Sequence, residues 1–174
     1  MKLRANTEST LFVLRKWRST DDLTLSAHAN HYRVWKFLKD SFPHPYTPEH
    51  AREWLKVANR SPQEEHFAIE VEGQAVGGIG ITLQQDVYRH NAEIGYWLGP
   101  DYWGRGIMSA AVDQMVNYVF ENHDVYRIYG RVFQGNGASV RVLEKAGFVK
   151  EAVLRKSVIK EGVLLDEYIY ARLR

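Results

Sequence analysis

The residues best placed to do chemistry sit around Gly104-Arg105-Gly106, which follows a strand-like stretch, Ala92 to Leu98, and opens a helix-like stretch at Ile107. That arrangement suits an anion. Glycines lack the Cβ atoms that hold a bulky oxyanion off the backbone, and a helix start leaves its first N–H groups free beside the positive end of the dipole. The turn and the helix start after it are therefore built for a diphosphate ligand. A Gly-x-Gly turn can also serve turn geometry alone, so its companions decide the reading.

Other chemistries find less support. With no cysteine in the chain, disulfides, thiolate metal cages and a cysteine acyl-enzyme are all excluded. His28 and His31 stand three apart on a helix, but no third ligand lies at a telling spacing; they read as surface histidines, and no metal is expected. Gly77-Gly78-Ile79-Gly80 resembles part of a dinucleotide fingerprint, yet it lies inside a strand and precedes no helix. It reads as a bulge or a close packing contact. Neither a Walker lysine nor a kinase-type set is present.

The elements that must position these residues follow from periodicity. Thr10 to Trp17 reads as a strand and Leu23 to Lys39 as a helix, broken by Pro43 and Pro45. Thr47 and Pro48 start a second helix with Ala51, Trp54, Leu55 and Ala58 inward. Phe67, Ile69 and Val71 alternate into a hairpin that turns at Glu72-Gly73 and returns over Ala75 to Leu83. Asn91 to Leu98 is the strand before the glycine turn, and Ile107, Ala111, Met115 and Val119 mark the apolar face of the helix after it. A strand over Val125 to Phe133, a helix over Ala138 to Ala146 stopped by Gly147, and strands over Val149 to Ile159 and Val163 to Leu173 complete the chain.

Composition bounds the class. At 174 residues, 45% of them apolar and 25% charged, one domain over 1–174 is expected. A formal net charge of +2 with no like-charge run argues against a nucleic-acid partner. The start lacks an apolar signal segment and nowhere do 18 apolar residues run together, so no membrane partner is expected and a cytoplasmic location is.

The order of one strand, two helices, three strands, helix, strand, helix and two strands resembles the GNAT superfamily of N-acetyltransferases nearly end to end. The motifs at 92–98, 102–106 and 136–148, the last running Asn-x-x-Ser-x-Arg-Val-Leu-Glu-Lys-x-Gly-Phe, are similar to the branch named for the ribosomal-protein N-terminal acetyltransferases RimJ and RimL. The resemblance implies an α+β (mixed α/β) fold: a mostly antiparallel sheet of about seven strands, splayed at the cofactor cleft and flanked by about four helices. The superfamily prefers Gln or Arg three residues before the first glycine; this chain has Asp101, which leaves phosphate binding to backbone amides.

The implied activity is direct transfer from acetyl-CoA to a primary amine, without a covalent enzyme intermediate or a metal. Trp97, Leu98 and Gly99 would hold pantetheine, Trp103, Gly104, Arg105, Gly106, Ile107 and Met108 would present amides to the diphosphate, and Asn136 would hydrogen-bond the pantetheine arm or cap a helix. Many members use a tyrosine seven residues after that Asn to protonate the thiolate; this chain has Leu143, so Ser139 becomes the candidate donor, its alternative role being a capping residue. Glu93 is the candidate base, acting directly or through water, or else an anchor for a neighbouring loop. The acceptor is expected between the loop carrying Phe42, Pro43, His44 and Tyr46 and the hairpin end near Tyr88 and Arg89, with Trp35 and Trp54 packing beneath.

Neutralising a protein α-amine at neutral pH costs about 1 kcal/mol and a lysine roughly 4.6, so a modest base favours α-amines. A protein N-terminus therefore leads, ahead of polyamines or aminoglycosides. Polyamines would call for a cluster of carboxylates, whereas only Asp86 lies in the hairpin end. A non-catalytic acyl-CoA-binding module is the alternative class, kept open by Leu143, and the resemblance leaves room for a homodimer.

Overall fold

A computed structural model describes residues 2–7, 10–58, 60 and 63–174. In chain order the elements are β1 (Lys2–Thr7), β2 (Thr10–Lys16), α1 (Asp22–Ala29), α2 (Tyr32–Trp35), α3 (Pro48–Val57), β3 (Glu64–Val71), β4 (Gln74–Leu83) and β5 (Asn91–Leu98). They continue with α4 (Ile107–Asn122), β6 (Arg127–Phe133), α5 (Gly137–Lys145), β7 (Val149–Lys160) and β8 (Val163–Leu173). The strands form one sheet in the order β1-β2-β3-β4-β5-β6-β8-β7. Among the described residues only β5 and β6 run parallel, joined by the α4 crossover.

The sheet has one strand beyond the expected seven, β1, which pairs with β2 at the edge. The single helix expected over 23–39 is instead α1 and α2. Asn30 ends α1, its side chain accepting from the Tyr46 N–H at 2.9 Å, and His31 caps α2 by accepting from the Arg33 N–H at 3.1 Å. Polar side chains that bond the backbone compete with a continuous helix, which the apolar spacing alone did not reveal. The hairpin turns Glu72-Gly73 and Glu161-Gly162 both adopt positive φ, the geometry that matches strand twist, and Gly147 leaves α5 at φ +78°.

Alternation along the strands divides the core between two faces. Phe67, Ile69, Ile79, Ile81 and Ile94 join Ile107, Ala111, Met115 and Val119 of α4 on one. Trp17, Ala68 and Ala75 join Leu25, Ala29, Tyr46 and Ala51 on the other. For the β4 glycines the close-packing alternative holds, while the bulge falls at Val76, just before them. The β3–β4 register slips between Ile69↔Gly77 and Glu70↔Ala75, and a Cβ at Gly78 would lie 2.9 Å from the Trp97 indole nitrogen and 3.1 Å from the Trp17 ring.

Candidate active site

The parallel pair β5–β6 is short, running from Asn91↔Arg127 to Ile94↔Gly130. Beyond it β6 continues along β8 to Phe133 while β5 continues along β4 to Leu98, so the two strands part. Gly130 lies at the fork, where a Cβ would come within 3.4 Å of Ile94 and Leu143. From Gly95 onward the β6-facing edge of β5 has no strand partner among the described residues, so its N–H and C=O groups are open to an extended, amide-bearing ligand.

At the far end of that edge the chain turns through Pro100–Tyr102 into Gly104 (φ +75°) and Gly106 (φ +74°), the latter capping α4. A side chain at either position would strain the backbone. The first helical hydrogen bond is donated by Ala110 N–H to the Gly106 carbonyl at 3.1 Å, so the amides of Ile107, Met108 and Ser109 precede it. Such a helix start fits a diphosphate. A groove of about 340 Å³ passes here, lined by Trp103, Gly104, Gly106, Ile107 and Met108, with the cations Arg33, Arg141 and Lys145 beside it.

Other predicted cofactor residues have structural tasks. Trp103 donates its indole N–H to the Leu98 carbonyl at 2.7 Å and carries Arg33 over its ring. Arg105 bonds the Asp101 carbonyl at 2.7 Å and covers Tyr102, and neither it nor Gly99 lines the groove. Gly99 is needed for packing, because a Cβ there would lie 3.2 Å from both His28 and the Val76 carbonyl. His28 meets Tyr102 edge-on.

Asn136 does cap α5, its Oδ1 accepting from the Ser139 N–H at 3.2 Å. That cap brings the half-buried Ser139 hydroxyl to 2.8 Å from the Tyr96 hydroxyl, which also donates to the Ser139 carbonyl at 3.3 Å. Burial pushes the Tyr96 phenol well above its ordinary pKa, so it stays protonated. Leu143 is a fully buried core residue.

A larger cavity, about 800 Å³, opens beside the gap and shares Tyr96, Trp97, Asn136 and Ser139 with the groove. Phe42, Pro43 and Tyr46 line it as expected. Trp54 lines it as well, where the sequence reading had it only in packing, whereas Trp35 stacks on His44 away from it. The structure does not bring His44, Tyr88 and Arg89 to the cavity. His44 is held against Trp35 and Tyr32, and Tyr88 and Arg89 sit on an exposed turn in which Arg89 bonds the Asp86 carbonyl.

Glu93 lies in the cavity wall. Tyr129 donates to its Oε2 at 3.3 Å, Arg131 Nε lies 3.6 Å from the same oxygen and Lys39 Nζ 3.5 Å from Oε1. The last contact also ties Glu93 to the 36–46 segment, the anchoring role expected of it. Buried Lys160 holds that segment too, donating to the Leu38 carbonyl at 2.8 Å and to Asp40 at 2.7 Å. The sequence reading missed Tyr96 and a second carboxylate, Glu167 of β8, which is buried in the cavity wall and bonded by Arg131 at 2.8 Å. Two-residue alternation from Ile94 put Tyr96 on the face toward the later helix; nothing local marked Glu167, whose partner lies on another strand.

Residues 12–149 match the family model of the acetyltransferase (GNAT) domain. The N-acetyltransferase p20 of Bacillus licheniformis is 30% identical over 93% of this chain and 92% of its own length. The ribosomal-protein-serine acetyltransferase of Escherichia coli is 27% identical over 62% of this chain and 59% of its own. The RimJ protein of Mycobacterium smegmatis, solved in complex with CoA-disulfide, superimposes with a TM-score of 0.89 over 99% of this chain and 86% of its own at 22% identity, which speaks for the fold. The chain belongs to the GNAT family of N-acetyltransferases.

Proposed function

We propose that this enzyme moves the acetyl group of acetyl-CoA directly to a primary amine, with the α-amine of a protein or peptide N-terminus ahead of small amines. One observation carries the reading: the glycine-turn groove and the aromatic cavity share one wall, Tyr96, Trp97, Asn136 and Ser139, at the gap between β5 and β6. Donor and acceptor entering from the two sides meet there. Acetyl-CoA supplies an acyl group activated by a thiol leaving group. The free amides of Gly104, Gly106, Ile107 and Met108 bind its diphosphate with help from Arg33, Arg141 and Lys145, the Trp103 N–H being held instead by the Pro100 carbonyl at 3.1 Å, and the open edge of β5 orients pantetheine.

Ser139, supported by Tyr96, supplies a hydroxyl donor for the departing sulfur, and Glu93 takes the amine's proton directly or through water. Glu93 and Glu167 are both engaged by Arg131, so of the cavity's carboxylates only the exposed Glu53 on α3 is unpaired among the described residues, fewer than the cluster a polyamine calls for. The name of the E. coli relative supports a protein acceptor, and such an acceptor implies a cytoplasmic enzyme. No helix among the described residues is long and apolar enough to cross a membrane.

The test is thiol release from acetyl-CoA across a mixed panel of peptides and small amines. Faster release with free-amine peptides than with polyamines or aminoglycosides supports the reading. Tight coenzyme binding with no release from any member overturns it.

A further inference from the structure

The walls of the larger cavity are richer in rings than a small acceptor requires. Gly78 lets Trp17 and Trp97 lie on the sheet, as the 3.1 and 2.9 Å approaches to its missing Cβ show. Gly80 does the same for His66, 2.6 Å from where a Cβ would stand. Across from this floor, Phe42 meets Trp97 edge-on at 5.8 Å, and Trp54 meets His66 edge-on at 4.7 Å. Two glycines in a central strand weaken it, and here the space they leave is filled by flat rings facing a cavity of about 800 Å³.

Resting on the acetyl-transfer reading above, we propose that the acceptor carries a large apolar group, aromatic for preference, beside its single primary amine. The sources of that chemistry are an N-terminal Phe, Tyr or Trp and a free arylalkylamine.

Size and charge both argue for it. A glycine, alanine or serine side chain would leave most of the cavity as water against apolar rings, whereas an aromatic side chain buries 150–250 Å² and finds edge-to-face partners in Trp54 and Phe42. The charged groups nearest the gap are already matched: Glu93 has Lys39, Tyr129 and Arg131, and Glu167 has Arg131. At the gap a second positive charge on the acceptor would meet Lys39 and Arg131, whose carboxylates are already taken; the cavity's unpaired carboxylate among the described residues, Glu53, stands exposed on α3. Burial also lowers the pKa of His66, with Glu64 opposing, so the imidazole adds no cation to the floor near neutral pH.

Two measurements test the proposal. First, kcat/KM for acetyl transfer is compared across peptides that differ only at residue one, Gly, Ala, Ser, Leu, Phe or Trp, and across ethylamine and phenethylamine. The expected rise from Gly to Phe or Trp is at least about tenfold, the size of discrimination an apolar pocket gives. A rise in the peptides alone assigns the N-terminal source, and an equal rise in the amines assigns the free arylalkylamine. Second, calorimetry follows phenethylamine and ethylamine binding to the CoA-loaded enzyme, with Trp54→Ala expected to erase the difference. Aromatic preference in binding without transfer to any acceptor would sink the acetyl-transfer reading and spare the pocket. Equal rates and equal binding across both series, or a preference for Gly, Ala or Ser, would overturn the proposal.

Discussion

The hydroxyls of Tyr96 and Ser139 stand 2.8 Å apart at the point where β5 leaves β6, joining a strand residue to the first turn of α5. Burial keeps the phenol protonated, so Tyr96 and Ser139 are joined by a hydrogen bond in which either hydroxyl can donate. Leu143, at the position of the common family tyrosine, is packed in the core and carries no hydroxyl, whereas this pair places two at the gap. Ser139→Ala is expected to lower kcat roughly 100-fold with CoA affinity unchanged, and Tyr96→Phe to lower it less. If Tyr96 acts through Ser139, the double variant loses no more than Ser139→Ala alone. Losses that multiply would show two independent roles.

Glu93→Gln keeps the shape that Tyr129 and Arg131 hold but removes the capacity to take a proton. Coenzyme affinity by calorimetry should be unchanged and the transfer rate should fall by on the order of 100-fold. An unaltered rate would take Glu93 out of the proton path and leave it as the anchor of the 36–46 segment.

Gly106 caps α4 at φ +74°, where a side chain both strains the backbone and fills the space in front of the free amides. Gly106→Trp should abolish detectable CoA binding while circular dichroism reports an intact fold. Full affinity in a folded variant would locate the diphosphate elsewhere.

The parts of this fold governed by local rules were readable from residues 91–98, 104–106 and 136–147: strand, glycine turn, capped helix and glycine stop all fall where those residue types belong. Periodicity could not show that Asn30 and His31 divide a helix, because their side chains bond the backbone of Tyr46 and Arg33. The glycine turn and the helix start after it were legible because backbone geometry, set by Gly104 and Gly106 themselves, defines them. The acceptor side was not. Glu167 and Trp54 join Glu93 only through strand order and helix packing, His44 is drawn away by Trp35 and Tyr32, and Tyr88 and Arg89 stay on their own exposed turn.

Arg15 is 2% exposed and gives both terminal nitrogens to Asp21, at 2.7 and 2.8 Å, and its Nε to Glu70. Removing one partner leaves a buried charge poorly compensated. Asp21→Ala should cost about 3–5 kcal/mol in urea unfolding, far more than a surface pair such as Arg52–Glu49. A loss under about 1 kcal/mol would mean that Glu70 alone satisfies the guanidinium.

His66 links the acceptor floor to pH. Burial lowers its pKa from 6.5, with Glu64 opposing, so near that pH the native state binds fewer protons than the unfolded chain. Stability then rises with pH across the window from the depressed native value up to 6.5, and is lost as pH falls through it. Glu65 acts lower: hydrogen bonds from Tyr118 and Lys16 outweigh its burial and hold its carboxyl below 4.5, so its contribution fades only under that pH. His66→Gln should therefore flatten the fall in Tm between pH 7 and pH 5 and leave the steeper fall below 4.5 in place. Identical slopes in both proteins between pH 7 and pH 5 would show that the imidazole titrates as freely in the fold as out of it.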